Sequence, residues 1–309
     1  MELRQLRYFV AIVDHGSLSR AAVVLHVAQP ALTQQLRQLE EELGAKLLHR
    51  SAQGVLSTDA GKVFYEHAQA ILKQVSDARS AVTQSTTRPS GSVTLGLPHS
   101  ISGALALPLL VAARAAYPEI TLQLTEELSG NLAEQLKSGR INLAVLFDDG
   151  QLGAFHCSAL VEEELMFICR AGSVFSPAGA SVSLAAALAT TLILPAQQQG
   201  VRPRIDSVAR QAGLALANVI EINSIAILKS ALLADMGATI LPTAPLHAEV
   251  ASGAMQARPL DPPVARSVTL CASRNIPLTN AATAISALVH QVTRELCAGG
   301  AWMGARLPG

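Results

Sequence analysis

The sequence predicts an α/β protein in which an N-terminal winged helix-turn-helix and a long dimerisation helix precede a larger α/β region. Three observations carry this reading: closely punctuated short helices followed by a hairpin, a helix with a sustained heptad seam, and a change after Gly91 to alternating strands and helices. At 309 residues the chain is long for one domain. With 50% hydrophobic and 15% charged residues it has ample material for cores, which excludes global disorder. The formal net charge is zero, so bulk electrostatics points to no partner.

Leu3, Leu6, Val10 and Val13 form one face of a first helix that stops near Gly16. Ser17 is placed to cap a short second helix carrying Leu18, Ala21, Ala22 and Leu25. Pro30 sits early in a third helix, where its missing N–H costs nothing, and Leu32, Leu36, Leu39 and Leu43 mark its buried face up to Gly44. Leu47-Leu48 and Val55-Leu56 flank a turn containing Gly54 and read as a hairpin. Thr58 and Asp59 then open a helix with Phe64, Ala68, Ile71, Val75, Ala78 and Val82 at heptad spacing. Such a seam fits dimerisation, or a long amphipathic helix packed on its own domain. A linker follows at Thr86–Gly91.

Beyond it, strands are expected at Val93–Leu97, Ile120–Leu124, Ile141–Phe147, Leu160–Arg170, Thr191–Leu194, Val219–Ile222, Ala238–Leu241 and Ser267–Ala272, with helices between them. This alternation implies parallel sheet covered on both faces. The last residues, from Ala298, read as a disordered tail despite Trp302. Cys157, Cys169, Cys271 and Cys297 lie far apart without a CxxC pair and read as buried thiols of a reducing compartment. Arg4, Arg7 and Asp14 interrupt any N-terminal leader pattern. Ala104–Ala113 falls short of the roughly 18 apolar residues that a membrane span needs. A cytoplasmic protein with no membrane partner is expected.

With Leu32, Leu36 and Leu39 inward, Gln29, Pro30, Thr33, Gln34 and Arg37 face away from the third helix. Gln pairs with adenine in bidentate fashion, Thr meets a thymine methyl or a phosphate, and Arg takes guanine or phosphate. The N-terminal end of the second helix of such a motif is where base edges are touched. Arg50, Ser51 and Gln53 in the hairpin are placed for backbone or minor-groove contact. Any surface helix also turns polar residues outward. Residues 1–87 hold nine Lys/Arg against eight Asp/Glu, so charge does not decide between the two, and the Glu40-Glu41-Glu42 run is expected to face solvent.

The stretch from Leu3 to Ala68 resembles the N-terminal domain of LysR-type transcriptional regulators. It does so through Phe9, Gly16-Ser17, Ala21-Ala22, Leu25, Gln29-Pro30-Ala31, Gln35, Leu39-Glu40, Leu43-Gly44, Leu47-Leu48, Arg50, Thr58 and Ala60-Gly61. Thr33 stands where that family most often has Ser, which keeps the hydroxyl. The run LHVAQPALTQQL is similar to the nitrogen assimilation control subgroup. The resemblance implies residues 1–58 as the DNA-binding domain, 59–87 as the linker and dimerisation helix, and 88–297 as an effector-binding domain like the periplasmic binding proteins. Lobe I would be 91–161 and 266–297, lobe II 162–265, and 298–309 the tail.

Ligands in such sheets lie beyond the carboxyl ends of strands, at helix N-termini. That directs attention to His99, Ser100 and Ile101, to Ser129, to Asn223 and Ser224, and to Gln197 with Arg202, as a site for a small anion such as a carboxylate. Ser and Asn in these places are also ordinary caps. The implied partners are double-stranded DNA, further copies of the chain as a homodimer or homotetramer, a small-molecule effector, and RNA polymerase if the regulator activates. No GxGxxG, GxxxxGK, GxSxG or HExxH motif occurs, and the His and Cys residues lack metal-ligand spacing. No cofactor, metal or catalytic activity is expected. Two other readings stay open: a small-molecule-binding or enzymatic α/β protein whose helices only dimerise it, and an effector-independent regulator of the same family.

Overall fold

The computed structural model describes the chain apart from residues 52–53, 84–87, 149, 151, 198–199 and 309, and apart from the side chains of residues 50, 51 and 83. It divides into two units, one of Met1–Thr83 with Ser138–Arg140 and one of Gln84–Lys137 with Ile141–Gly309.

In the first unit, α1 (Leu3–His15), α2 (Leu18–Val24) and α3 (Gln29–Leu43) are followed by the antiparallel hairpin β1 (Leu48–Ser51) and β2 (Gly54–Ser57), then α4 (Asp59–Thr83). Leu6, Phe9, Ile12, Leu32, Leu36 and Leu39 form its core with Leu47, and Phe64 of α4 meets the edge of Phe9 at 5.1 Å. Ser17 caps α2 by accepting from the Arg20 N–H, and Gly44 ends α3 in the left-handed conformation at φ 63°. Thr58 ties the start of α4 to the hairpin: its hydroxyl donates to the Lys46 carbonyl at 2.7 Å and accepts from the Gly61 N–H at 2.9 Å. Gly61 passes so close to β1 that a Cβ there would lie 2.0 Å from the Leu47 carbonyl oxygen. Tyr65 donates to Asp14, and burial together with that carboxylate pushes its hydroxyl up to about 12.

Glu40 corrects the expectation of a solvent-facing acidic run. Its carboxylate is buried, takes the Lys46 ammonium at 2.8 Å, and accepts from the backbone N–H groups of Leu47 and Leu48 at 2.9 and 3.3 Å. Burial alone would raise its pKa, but Lys46 and the two amides outweigh it and hold the carboxyl below its usual range. The chain turning from helix into strand leaves these amides in need of an acceptor, and Glu40 supplies it.

The second unit runs β3 (Gly91–Pro98), α5 (His99–Ala116), β4 (Ile120–Glu127), α6 (Ser129–Ser138), β5 (Leu143–Phe147), β6 (Phe155–Arg170), β7 (Val182–Ser183), α7 (Leu184–Leu188) and β8 (Thr191–Leu194). It continues with α8 (Arg202–Gln211), β9 (Asn218–Glu221), α9 (Ile225–Leu233), β10 (Thr239–Leu241), α10 (His247–Ala251), β11 (Met255–Ser273), α11 (Asn280–Ala298) and β12 (Ala305–Arg306). Among the described residues two large cores lie along it, beside a smaller cluster of Leu132, Leu136, Ile141, Ala144, Leu146 and Phe155 under α6. One gathers β3, α5, α11 and the Leu160-Val161 and Val268–Ala272 stretches of β6 and β11; the other gathers Leu165–Cys169, Val264 and the segments between β6 and β11. Both long strands pass from one core to the other, between Val161 and Leu165 outward and between Val264 and Val268 on return.

This passage explains why the sheet is not uniformly parallel, as the alternation suggested. The pairs β3–β4, β3–β5 and β8–β9 are parallel, but β6 and β11 run in opposite directions between the cores and pair antiparallel, as do β11–β5 and β10–β6.

Three further expectations are corrected. The segment Trp302–Arg306 of the expected tail is ordered: Trp302 is 1% exposed in the first core, and β12 adds to β6. Burying one indole supplies what the short tail otherwise lacks. Cys157 and Cys271 are joined as a disulfide rather than standing as free thiols, because β6–β11 pairing sets them opposite each other across 114 residues of sequence. Finally, α5 spans 18 residues at mean hydropathy 1.3, enough by length and composition for a membrane span. Ile101, Leu105, Leu109 and Ala113 pack into the core, while Leu107, Leu110 and Val111 are exposed.

Candidate nucleic-acid interface and ligand cleft

The first unit presents one face of α3. Ala28 begins the helix without a side-chain cap, and Pro30 lies in its first turn. Packing of Leu32, Leu36 and Leu39 turns Gln29, Pro30, Gln34 and Arg37 fully outward, with Thr33 half-buried beside them. These five residues line one shallow concavity of about 420 Å³. Ser19 of α2 donates to the Gln29 side-chain oxygen at 3.2 Å and so fixes that amide, a contact that sequence spacing did not signal. Among the described residues, Thr33, Gln34 and Arg37 make no side-chain hydrogen bond or ion pair. An amide, a hydroxyl and a guanidinium left without protein partners on a helix N-terminal half are suited to nucleic acid. Arg50 and Ser51 lie on β1 with side chains outside the description, and Gln53 lies outside the described residues.

In the second unit, a cleft opens where β3, β4, β5 and β8 end. Its larger part, about 890 Å³, is lined by Ser129, Phe147, Asp148, Gln197, Ser267 and residues of α8. A smaller part of about 50 Å³ is lined by His99, Ser100, Glu127, Pro195, Asn223 and Ile225. Ser129, Phe147, Gly200 and Arg266 border both. The larger part sets Arg202, Arg204, Arg210 and Arg266 against Asp148 and Asp206, an excess of positive charge in a concave, partly desolvated space.

The expected residues divide on inspection. Ser129 and Gln197 line the cleft, as does Arg202, whose Nε already donates to Asp206 at 2.9 Å while Glu221 lies 3.8 Å away. His99 is half-buried at the start of α5, with an Nδ1 that finds no partner among the described residues. Ser100 accepts from an Arg266 Nη2 at 2.8 Å. Asn223 lines the small cavity but its oxygen accepts from the Ala196 N–H at 3.0 Å, which ties the ends of β8 and β9 together. Two are placed elsewhere: Ile101 is fully buried in the core, and Ser224 lines neither cavity and caps α9 by accepting from Ile227.

Sequence reasoning missed the centre of the cleft. Arg266 on β11 faces Glu163 on β6 at the crossing between the cores, and its Nε and Nη2 lie 2.8 and 2.6 Å from one Glu163 oxygen. The Trp302 indole donates to the other oxygen at 2.9 Å. The guanidinium lies over the Phe147 ring, 3.9 Å from its centroid. Glu163 is fully buried and the Arg266 side chain 3% exposed, and the Arg266 Nη1 has no hydrogen-bond partner among the described residues. The signal in the sequence was slight, one Arg directly before the expected strand Ser267–Ala272. Among the described residues, no group of His, Cys, Asp or Glu is arranged to hold a metal ion.

Comparisons with known proteins bear on both units. Residues 3–62 match the family described as bacterial regulatory helix-turn-helix protein, lysR family, and residues 86–294 match the LysR substrate binding domain. The chain is 40% identical over 243 residues to the nitrogen assimilation regulatory protein nac of Escherichia coli K12, covering 78% of each. It is 30% identical over 301 residues to the transcriptional regulator BbuR of Bordetella bronchiseptica, covering 97% of this chain and 92% of BbuR. A full-length OxyR variant of Pseudomonas aeruginosa superposes with a TM-score of 0.68 at 21% identity, over 95% of this chain and 98% of that one. CbnR complexed with its target DNA gives 0.54 at 22% identity, over 95% and 100%.

Proposed function

Because the chain belongs to the LysR family of bacterial transcriptional regulators, and so acts by binding DNA rather than by catalysis, we propose how it does so. The Gln29–Arg37 face of α3 from each of two copies reads one half of an interrupted palindrome in successive major grooves. Gln34 and Arg37 supply direct readout, Thr33 a methyl or phosphate contact, and Arg50, Ser51 and Gln53 of the wing backbone contacts. The observation that carries this is the row of Thr33, Gln34 and Arg37 on α3, whose side chains have no protein partners among the described residues.

The assembly is a homodimer joined through α4 and extended to a tetramer. Phe64 and Ala68 of its seam pack on the unit's own core, while Ile71, Ala78 and Val82 farther along are exposed and supply the apolar side of an interface. The protein works in the bacterial cytoplasm, where its DNA is. If it activates, it does so through RNA polymerase.

The effector is a small anion in the cleft, supported by the excess of arginine over aspartate there and by the free N-terminus of α5. It regulates only if it binds the two DNA-bound arrangements with different affinity, and a coupling of about 1–3 kcal/mol suffices. The test is footprinting on the DNA upstream of the protein's own gene, with genomic selection of bound fragments beside it. A protected, interrupted palindrome that survives competitor DNA is expected. Complexes at every fragment that dissolve together with modest salt contradict the reading, since phosphate contact alone behaves that way.

A further inference from the structure

We propose that the C-terminal segment is part of the ligand site: Trp302, acting through Glu163, holds the Arg266 guanidinium so that its free Nη1 takes an oxygen of the bound anion. This rests on reading the cleft as the ligand site and adds the group that recognises the ligand there.

The argument starts from a buried donor without an acceptor. A guanidinium carries five N–H bonds in a fixed plane. Here its Nε and Nη2 are used by Glu163, Nη2 also reaches Ser100, and one face is closed by Phe147. The remaining nitrogen, Nη1, is buried and unpartnered among the described residues, on a side chain that borders both parts of the cleft. Buried polar groups without partners are rare, and one at a cavity wall calls for an acceptor that arrives with the ligand. Ser100 uses its oxygen to accept from Arg266, which leaves its own hydroxyl proton for that same acceptor. Both groups meet at the first turn of α5, an 18-residue helix that no side chain caps. A carboxylate or phosphate oxygen satisfies all of these at once.

Glu163 and Trp302 are positioning residues. The carboxylate neutralises the guanidinium and fixes its plane; the indole N–H holds the carboxylate's second oxygen and so prevents it from rotating away. Trp302 stays in place because the segment around it is tied down. The Gly304 carbonyl accepts from the Glu164 N–H at 2.9 Å, the Met303 carbonyl accepts from Thr243 at 3.1 Å, and β12 pairs with Glu162 and Glu163. Arg306 adds an ion pair to Glu162 at 2.8 Å. The last residues of the chain therefore brace the crossing strands at the point where the anion binds.

Trp302 is the chain's single tryptophan, so its emission reports this network alone. The full-length protein is titrated with acetate, phenylacetate, succinate and inorganic phosphate, with phenylacetamide as the uncharged control. Calorimetry and Trp302 emission are read on the same samples. At least one anion, and not phenylacetamide, is expected to bind and to change Trp302 emission with the calorimetric midpoint; which of the carboxylates or phosphate does so separates the two ligand sources. Arg266→Lys, which keeps the charge but loses the planar fork, should weaken binding at least about tenfold, the scale of one charge-assisted hydrogen bond, and abolish the emission change. Trp302→Phe should weaken it about threefold to tenfold with circular dichroism unchanged, and it carries the test alone if Arg266→Lys does not fold. Binding that survives both substitutions, or binding to the wild type that leaves emission unmoved, overturns the role of Arg266 and Trp302 while sparing the cleft. Absence of binding by all four anions overturns both.

Discussion

The outer face of α3 and the cleft of the second unit solve opposite problems with the same kinds of side chain. On α3 the Gln34 amide and Arg37 guanidinium are exposed and the Thr33 hydroxyl half-buried, all without protein partners among the described residues. In the cleft the guanidinium of Arg266 is buried, with Nε and Nη2 engaged by Glu163 and Ser100 and Nη1 without a partner among the described residues. The first arrangement separates recognition from stability, since the helix folds on its inner face whatever its outer face carries. The second joins them, because a buried ion holds its place only while its partners remain. Substitutions in the two regions should therefore fail in different ways.

The largest effect is expected for Glu163→Ala, which leaves Arg266 charged and buried without its counter-ion. Urea denaturation should show a loss of about 3–5 kcal/mol. A loss below about 1 kcal/mol, the range of an exposed pair, would mean that the pair is wetter than its burial implies. Gln34→Ala is the counterpart on α3. It should cost about 1–3 kcal/mol in affinity for the cognate site and relax sequence preference, yet move stability by no more than about 0.5 kcal/mol. A drop in melting temperature with unchanged DNA affinity would reverse the assignment.

Glu40 tests whether the reading helix is stable apart from its reading face. Its folded pKa lies below the ordinary glutamate value of 4.5, so its contribution is present above about that pH and is lost as pH falls through the folded pKa. Glu40→Gln should flatten the acid limb of the stability curve and remove about 1 kcal/mol near neutrality; an unchanged limb would exclude it as the titrating group. The smallest effect belongs to Ser100→Ala, which removes one neutral acceptor from Arg266. About 1 kcal/mol or less of stability is expected to go, with the loss of anion affinity exceeding it in relative terms.

What the sequence revealed follows the same division. The face of α3 was legible because all its members lie within nine residues, Gln29 to Arg37, and helical spacing alone decides which way they point. Thr58 and Gly44 were legible as local start and stop signals. The cleft was legible only at its rim, where strand ends and helix starts announce themselves at Ser100 and Ser129. Its centre joins Ser100 to Arg266 across 166 residues and Glu163 to Trp302 across 139, and no local pattern encodes such pairs. Glu40 was misread because its partners, the Leu47 and Leu48 amides, are backbone groups invisible to side-chain pattern. Ser224 and Ile101 were misassigned because a cap, a core residue and a ligand contact share the same neighbourhood at a helix start.

The most direct test of the separation between reading and sensing compares DNA affinity at one salt concentration for the wild type, Gln34→Ala and Arg266→Lys. Each is measured with and without the tightest-binding of the four probe anions. Gln34→Ala should bind the cognate site weakly in both conditions while retaining the wild-type affinity for the anion. Arg266→Lys should bind DNA as the wild type does without anion, and its affinity should not shift when the anion is added. Loss of basal DNA affinity in Arg266→Lys with its fold intact, or full cognate affinity in Gln34→Ala, would contradict the account.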